Sequence, residues 1–118
     1  MKASLVTAKK YLKENEQLLS SLYCKIHLNN ISRSGILVAT TERLLFCADA
    51  IVGKGYKWDF LYCEISNISE NKGFVLGTTP FIKKLLVYTQ EEIVIFENFS
   101  NSYEVDEFLK LIKLKINK

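Results

Sequence analysis

Val105, Phe108, Leu109, Ile112 and Ile116 recur at i, i+3, i+4, i+7 and i+11, an apolar stripe with the helical period that has to be buried against something. Almost everything before it is a series of short apolar runs in strand rhythm. The stripe therefore has to seal a face offered by β-structure. The helix is predicted over 101–117. Asn101 and Glu104 stand at capping-box spacing, Glu104, Asp106 and Glu107 crowd the first turn, and Lys110, Lys113, Lys115 and Lys118 crowd the last. With 118 residues, 48% of them apolar, the chain has room for one core and no need of disulfide or metal staples.

The strand rhythm begins after a short amphipathic segment. Over Ser4 to Glu14, Leu5, Ala8 and Leu12 share one helical face, Lys9, Lys10 and Lys13 lie mostly on the other, and Ser4 stands as N-cap. From Gln17 the period becomes two. Leu18, Leu22, Cys24, Ile26 and Leu28 take one parity, and Ser21, Tyr23, Lys25 and His27 the other. Asn29 to Gly35 is rich in turn residues and is read as the loop of a hairpin. The runs Ile36 to Thr40 and Arg43 to Ala48, separated by Thr41-Glu42, form a second hairpin. Gly53-Lys54-Gly55 reads as a hairpin tip before the alternating Tyr56-Lys57-Trp58-Asp59-Phe60. A short helical turn then leads into a strand between Leu61 and Glu70. Asn71-Lys72-Gly73 is read as a turn. Phe74 to Leu76, Phe81 to Thr89 and Ile93 to Phe99 supply further strands, with Pro80 between two of them and Gln90-Glu91-Glu92 as a hairpin turn.

Chemistry is sparse. His27 is the single histidine, and its parity makes it a solvated strand residue. Cys24, Cys47 and Cys63 contain no C-x-x-C pair, which argues against a disulfide framework or a zinc knuckle and for a reducing cytoplasm. Cys24 has core parity and Cys63 is read with it. Cys47 takes the outward parity, so it is the thiol to test for reactivity. The glycines around Lys54 lack the spacing and context of a phosphate loop. Glu91-Glu92 and Asp106-Glu107 read as solvated turn and helix-cap charges. Two lysines interrupt the N-terminal run before signal-peptide length, and no apolar stretch approaches the ~20 residues of a membrane span. The expectation is a soluble, non-catalytic protein that takes no cofactor. The net charge of +3 does not indicate nucleic acid.

The segment Arg33-x-Gly35-Ile36-Leu37-Val38-Ala39-Thr40-Thr41-Glu42-Arg43-Leu44-Leu45-Phe46, followed by Trp58-Asp59-Phe60 and by Ile65-x-x-Ile68, resembles the YokE-like bacterial pleckstrin-homology family. Its members show a Gly-x-Leu-x-x-Thr-x-x-Arg-Leu-x-Phe hairpin and a following Ile-x-x-Ile, and the segment is also similar to the related GRAM domains. The resemblance implies a mainly β fold: a PH-like barrel of about seven antiparallel strands capped by a C-terminal helix. The chain divides into an N-terminal amphipathic helix over 1–15 and a PH-like domain over 16–118. The motif residues Gly35, Leu37, Thr40, Arg43 and Phe46 are structural in this reading. Gly35 serves close backbone approach or a bulge, and Arg43 satisfies carbonyls beside its turn.

Two kinds of partner follow. A strand edge, or the apolar face of the N-terminal helix, serves a protein partner or a second copy of the chain, unless the chain's own barrel covers that helix. Alternatively Lys25, Arg33, Lys54 and Lys57, brought by the resemblance to one open end, form a basic patch for anionic lipid. Gly35 stands where a phosphoinositide-binding hairpin carries its last basic residue. Four charges at about 1 kcal/mol each would bind an anionic bilayer weakly and reversibly with salt.

Overall fold

A computed structural model describes residues 3–49, 56–73, 82–97, 99–100 and 103–116. In chain order these form α1 (Leu5–Lys9), β1 (Leu18–Leu28), β2 (Ile31–Thr40), β3 (Arg43–Ala48), β4 (Lys57–Leu61), a 3-10 turn (Tyr62–Glu64), β5 (Ile65–Gly73), β6 (Ile82–Thr89), β7 (Ile93–Glu97) and α2 (Tyr103–Ile116). The expected tip at Gly53-Lys54-Gly55, the strand at Phe74 to Leu76, Pro80 and the Asn101 cap lie outside the described residues.

All seven strands pair antiparallel in one sheet of order β4-β3-β2-β1-β7-β6-β5. The ladder does not close, so β4 and β5 are its edges. It curls instead. Phe46 on β3 and Phe96 on β7 are three strand spacings apart along the ladder, ~14 Å in a flat sheet, yet their ring centroids lie 5.9 Å apart. The concave face carries Leu22, Cys24, Ile26 and Leu28 of β1 with Leu37, Leu44, Phe46, Leu85, Val87, Val94 and Phe96. Val105, Phe108 and Ile112 of α2 enter this core with no exposed surface, as their spacing predicts. Removing such side chains from water stabilises the fold by about 2 kcal/mol each.

Two stretches differ from their sequence reading. Ile31 to Gly35 is strand, paired with β1 from Leu28↔Ile31 to Cys24↔Gly35, and the turn shrinks to Asn29-Asn30 with Asn29 at φ 55°. Asn71 to Gly73 likewise continues β5 opposite Lys84, Lys83 and Ile82 rather than turning. The short helical turn before β5 is found at Tyr62–Glu64.

Every residue of β3 is buried, on both faces, because the convex side is covered as well. Ile36, Val38, Leu45 and Cys47 form a second apolar cluster beneath Ala3, Ala8 and Leu12. The helical face predicted for the N-terminus is thus docked on the chain's own sheet. Helix α1 ends at Lys9, short of the predicted Glu14. Past it the N–H groups of Tyr11 and Leu12 bond three residues back, to the carbonyls of Ala8 and Lys9, and the run from Ala3 to Glu16, α1 included, forms a strap over the convex face. Cys47, read as outward and testable, is therefore only 1% exposed, and burial raises its thiol to about 11 against the lowering effect of Lys57 and Arg43. Cys63, read with the core, is exposed, because the 3-10 turn breaks strand alternation at that point.

Gly35 shows why the hairpin motif has a glycine. A Cβ there would lie 2.2 Å from the Cys47 carbonyl oxygen and 2.7 Å from Ala48 Cα. The requirement is close approach of β2 and β3, which only a residue without a side chain allows.

Candidate functional site

Arg43 opens β3 one residue past a tight turn, and its side chain runs along the convex face under the strap. Its Nε donates to Glu16 Oε2 at 3.0 Å, Nη1 to Asp59 Oδ2 at 2.6 Å, and Nη2 to the Tyr11 carbonyl at 2.7 Å. Thr40 completes the centre. Its hydroxyl donates to Glu16 Oε2 at 2.5 Å and accepts the Arg43 N–H at 3.0 Å. Burial alone would raise the Glu16 carboxyl. The hydrogen bonds from Arg43, Thr40 and the Lys13 N–H, with the Arg43 charge, overcome that and hold it down at about 2. The same bond to Glu16 raises Arg43 further. Arg43 satisfies a carbonyl, but that of Tyr11, 32 residues away, rather than one beside its turn, and its main partners are two carboxylates that sequence reasoning missed. Glu16 is 27 residues away, and nothing local marks it.

A second clamp holds the other end of the strap. Asp49 accepts from the Ala3 N–H at 2.7 Å and from the Tyr23 hydroxyl. Burial and then this bond raise the Tyr23 phenol to about 12.

The basic residues do not share one face. Lys25 lies on the convex side of β1, opposite Glu97 of β7 in register. Lys57 lies on the convex side of β4, 3.3 Å from Asp59 and over the Tyr11 ring. Arg33 is on the concave side, its guanidinium 4.6 Å from the Tyr56 ring centroid, and Tyr56 in turn stacks with Trp58. Arg33 Nη1 is buried without a hydrogen-bond partner among the described residues. Lys54 lies outside them. His27, on the convex side, pairs with Glu97, which also holds Lys84 at 3.4 Å. Burial would raise Glu97, and these two partners lower it.

Where the two edges of the curled sheet part, a cleft of about 270 Å³ opens between Asp59 and Phe60 of β4, Cys63 and Glu64 of the 3-10 turn, and the Thr89 to Glu92 turn. Glu91 and Glu92, read as solvated turn charges, are brought here to face Asp59 and Glu64. Asp59 is balanced by Arg43 and Lys57. Among the described residues Glu64 Oε1 accepts from the Leu61 N–H alone, and Glu92 Oε2 is buried with no hydrogen-bond partner. No three His, Cys, Asp or Glu among the described residues converge closely enough to hold a metal ion.

The backbone along this edge is open. The Ala48 N–H bonds to the Tyr56 carbonyl, so in antiparallel alternation Trp58 and Phe60 also face β3, and the N–H and C=O of Lys57 and Asp59 point away from the sheet.

A curled, unclosed sheet of seven antiparallel strands whose core is completed by a C-terminal helix defines the pleckstrin-homology fold, a class of generally non-catalytic binding modules. Residues 12–114 match the Bacterial PH domain family, and the chain belongs to it. Solved structures agree on the fold. A pleckstrin homology domain from Shewanella amazonensis SB2B is 17% identical, with 96% of this chain and 95% of that one covered at a TM-score of 0.66. A DUF1696 family protein with a pleckstrin-homology domain from Shewanella loihica PV-4 is 16% identical, with 92% and 86% covered at 0.63. The hSac2 domain from the human phosphoinositide phosphatase Sac2 is 11% identical, with 96% and 79% covered at 0.60. No curated protein matches the chain. No described helix is long and apolar enough to cross a membrane.

Proposed function

We propose that the chain is a non-catalytic protein-binding module that takes a partner segment along the free edge of β4. The observation that carries this is the outward pair of backbone groups at Lys57 and Asp59, beside a cleft walled by β4, the 3-10 turn and the turn between β6 and β7. An added strand satisfies those groups with main-chain hydrogen bonds, and the cleft supplies side-chain selection. The strap's docking on its own sheet leaves the edge, rather than α1, as the surface for a partner or a second copy. Three unpaired thiols fit a reducing compartment, which favours the cytoplasm. Within its family, the Arg43 hairpin favours the YokE-like branch.

Proline at Lys57 would remove an outward N–H and leave the bonds to β3 in place. Affinity purification of the full chain, with each partner rebuilt from purified components, is expected to give a complex that Lys57→Pro loses. A complex indifferent to that substitution would refute edge addition.

A second reading, weak binding to anionic lipid, rests on Arg33, a half-buried cation whose Nη1 has no hydrogen-bond partner among the described residues. It predicts sedimentation with phosphatidylserine vesicles but not phosphatidylcholine vesicles, abolished in Arg33→Glu.

A further inference from the structure

We infer that the cleft between β4 and the Thr89 to Glu92 turn selects a lysine- or arginine-bearing extended segment of a partner protein. This rests on the reading that the β4 edge accepts a strand, and adds what the incoming side chain must be. Such a segment, paired with the outward groups of Lys57 and Asp59, lies beside the cleft, and strand geometry sends alternate side chains to the same side. The cavity, about 270 Å³, falls below the ~300–1,000 Å³ typical of small-molecule sites and suits a long side chain better than a cofactor.

Its chemistry selects the sign of charge. Glu64, Glu91 and Glu92 have no cation partner among the described residues, and Glu92 Oε2 is shielded from water without a hydrogen bond. Glu64 and Glu91, exposed at the cleft, can accept from an ammonium or guanidinium group, whose charge also offsets the unpaired Glu92 carboxylate behind them. Phe60 in the wall offers apolar surface to the methylene stem of the same side chain. A metal ion is the poorer occupant because the carboxylates do not converge on one point, and a phosphate would meet only negative charge.

The test uses the full chain and three short capped peptides in which valine alternates with lysine, threonine or glutamate. In amide NMR titrations the lysine peptide is expected to shift the signals of Lys57 to Glu64 and Thr89 to Glu92 saturably, with an affinity that falls as salt rises. In Glu91→Gln with Glu92→Gln, the Kd of the lysine peptide should rise about tenfold while the β4 signals still respond. The double variant keeps its turn, because that turn is closed by the Thr89 hydroxyl and the Glu92 backbone. If the threonine peptide binds as well as the lysine peptide, edge addition stands and cation selection falls. If no peptide moves the β4 signals, both fall. Shifts of the cleft signals on raising protein concentration alone would make a second copy the occupant and overturn the inference.

Discussion

The Arg43 guanidinium and the Glu16 carboxylate meet at 3.0 Å with the Glu16 side chain fully buried and that of Arg43 only 8% exposed. The pair joins the segment between α1 and β1 to the start of β3, so its loss acts on the strap and the sheet together. Arg43→Ala leaves Glu16 charged and unpaired under the strap and is expected to cost about 3–5 kcal/mol in urea unfolding. Arg43→Met with Glu16→Leu should recover most of that loss, since paired apolar replacements remove both desolvation costs. A double variant no more stable than Arg43→Ala would show that the pair's geometry, rather than its charge balance, holds the strap.

The same carboxylate sets an acid limit. Its folded value of about 2 lies below its ordinary 4.5, so the stability it contributes is fully present above about 4.5 and is lost as pH falls through the folded value. The shift corresponds to about 3 kcal/mol, and the depressed Glu97 acts in the same direction. Unfolding midpoints measured between about pH 6 and pH 2 should fall steeply in the wild type and much less in Glu16→Gln. Parallel curves for the two proteins would contradict the assignment.

Gly35→Ala tests the close approach of β2 and β3. The clashing atoms are backbone, the Cys47 carbonyl and Ala48 Cα, so no side-chain rotation relieves them. A loss of about 3 kcal/mol is expected, read as a lowered thermal midpoint. Wild-type stability in this variant would mean that the strands separate freely at Gly35.

Thiol chemistry distinguishes the two cysteines whose sequence readings are reversed. Cys63 should react with a chromogenic disulfide at neutral pH, while Cys47 and the buried Cys24 stay silent until unfolding. Ala8→Glu places a carboxylate where Ala8 has no exposed surface, and should lift the strap and admit reagent to Cys47 with the concave core intact by circular dichroism. Continued protection of Cys47 in that variant would mean that something other than α1 covers it.

What the sequence revealed and what it hid follow from the range of each interaction. The α2 stripe, the alternation of β1 and the Thr41-Glu42 turn are local patterns that survive folding, and they carried the architecture. Ile31 to Ser34 reads as loop because that end of β2 is half solvated, with Ile31 40% exposed, so its composition resembles a loop although its backbone pairs with β1. Cys47 could not be placed by parity, since parity says which face a residue takes and not whether a strap covers that face. The acidic cleft was illegible for a related reason. Glu91 and Glu92 meet Asp59 and Glu64 only because the sheet curls, and no spacing in the sequence encodes that meeting. Lys25, Arg33 and Lys57 show the reverse, positive charges read as one group that divide between the two sides of the sheet.

The strap is gripped by its main chain. Asp49 takes the amide of Ala3, and Arg43 takes the carbonyl of Tyr11. Neither hold reads a side chain of the residue it grips, so the bond to Tyr11 survives a change of side chain there, whereas Ala3 is also packed in the convex cluster. Adding or deleting one residue between them would instead pull one grip out of reach. The tether is specified by length, like a buckle set to one hole, and spelling matters chiefly where Ala3, Ala8 and Leu12 lie against the sheet.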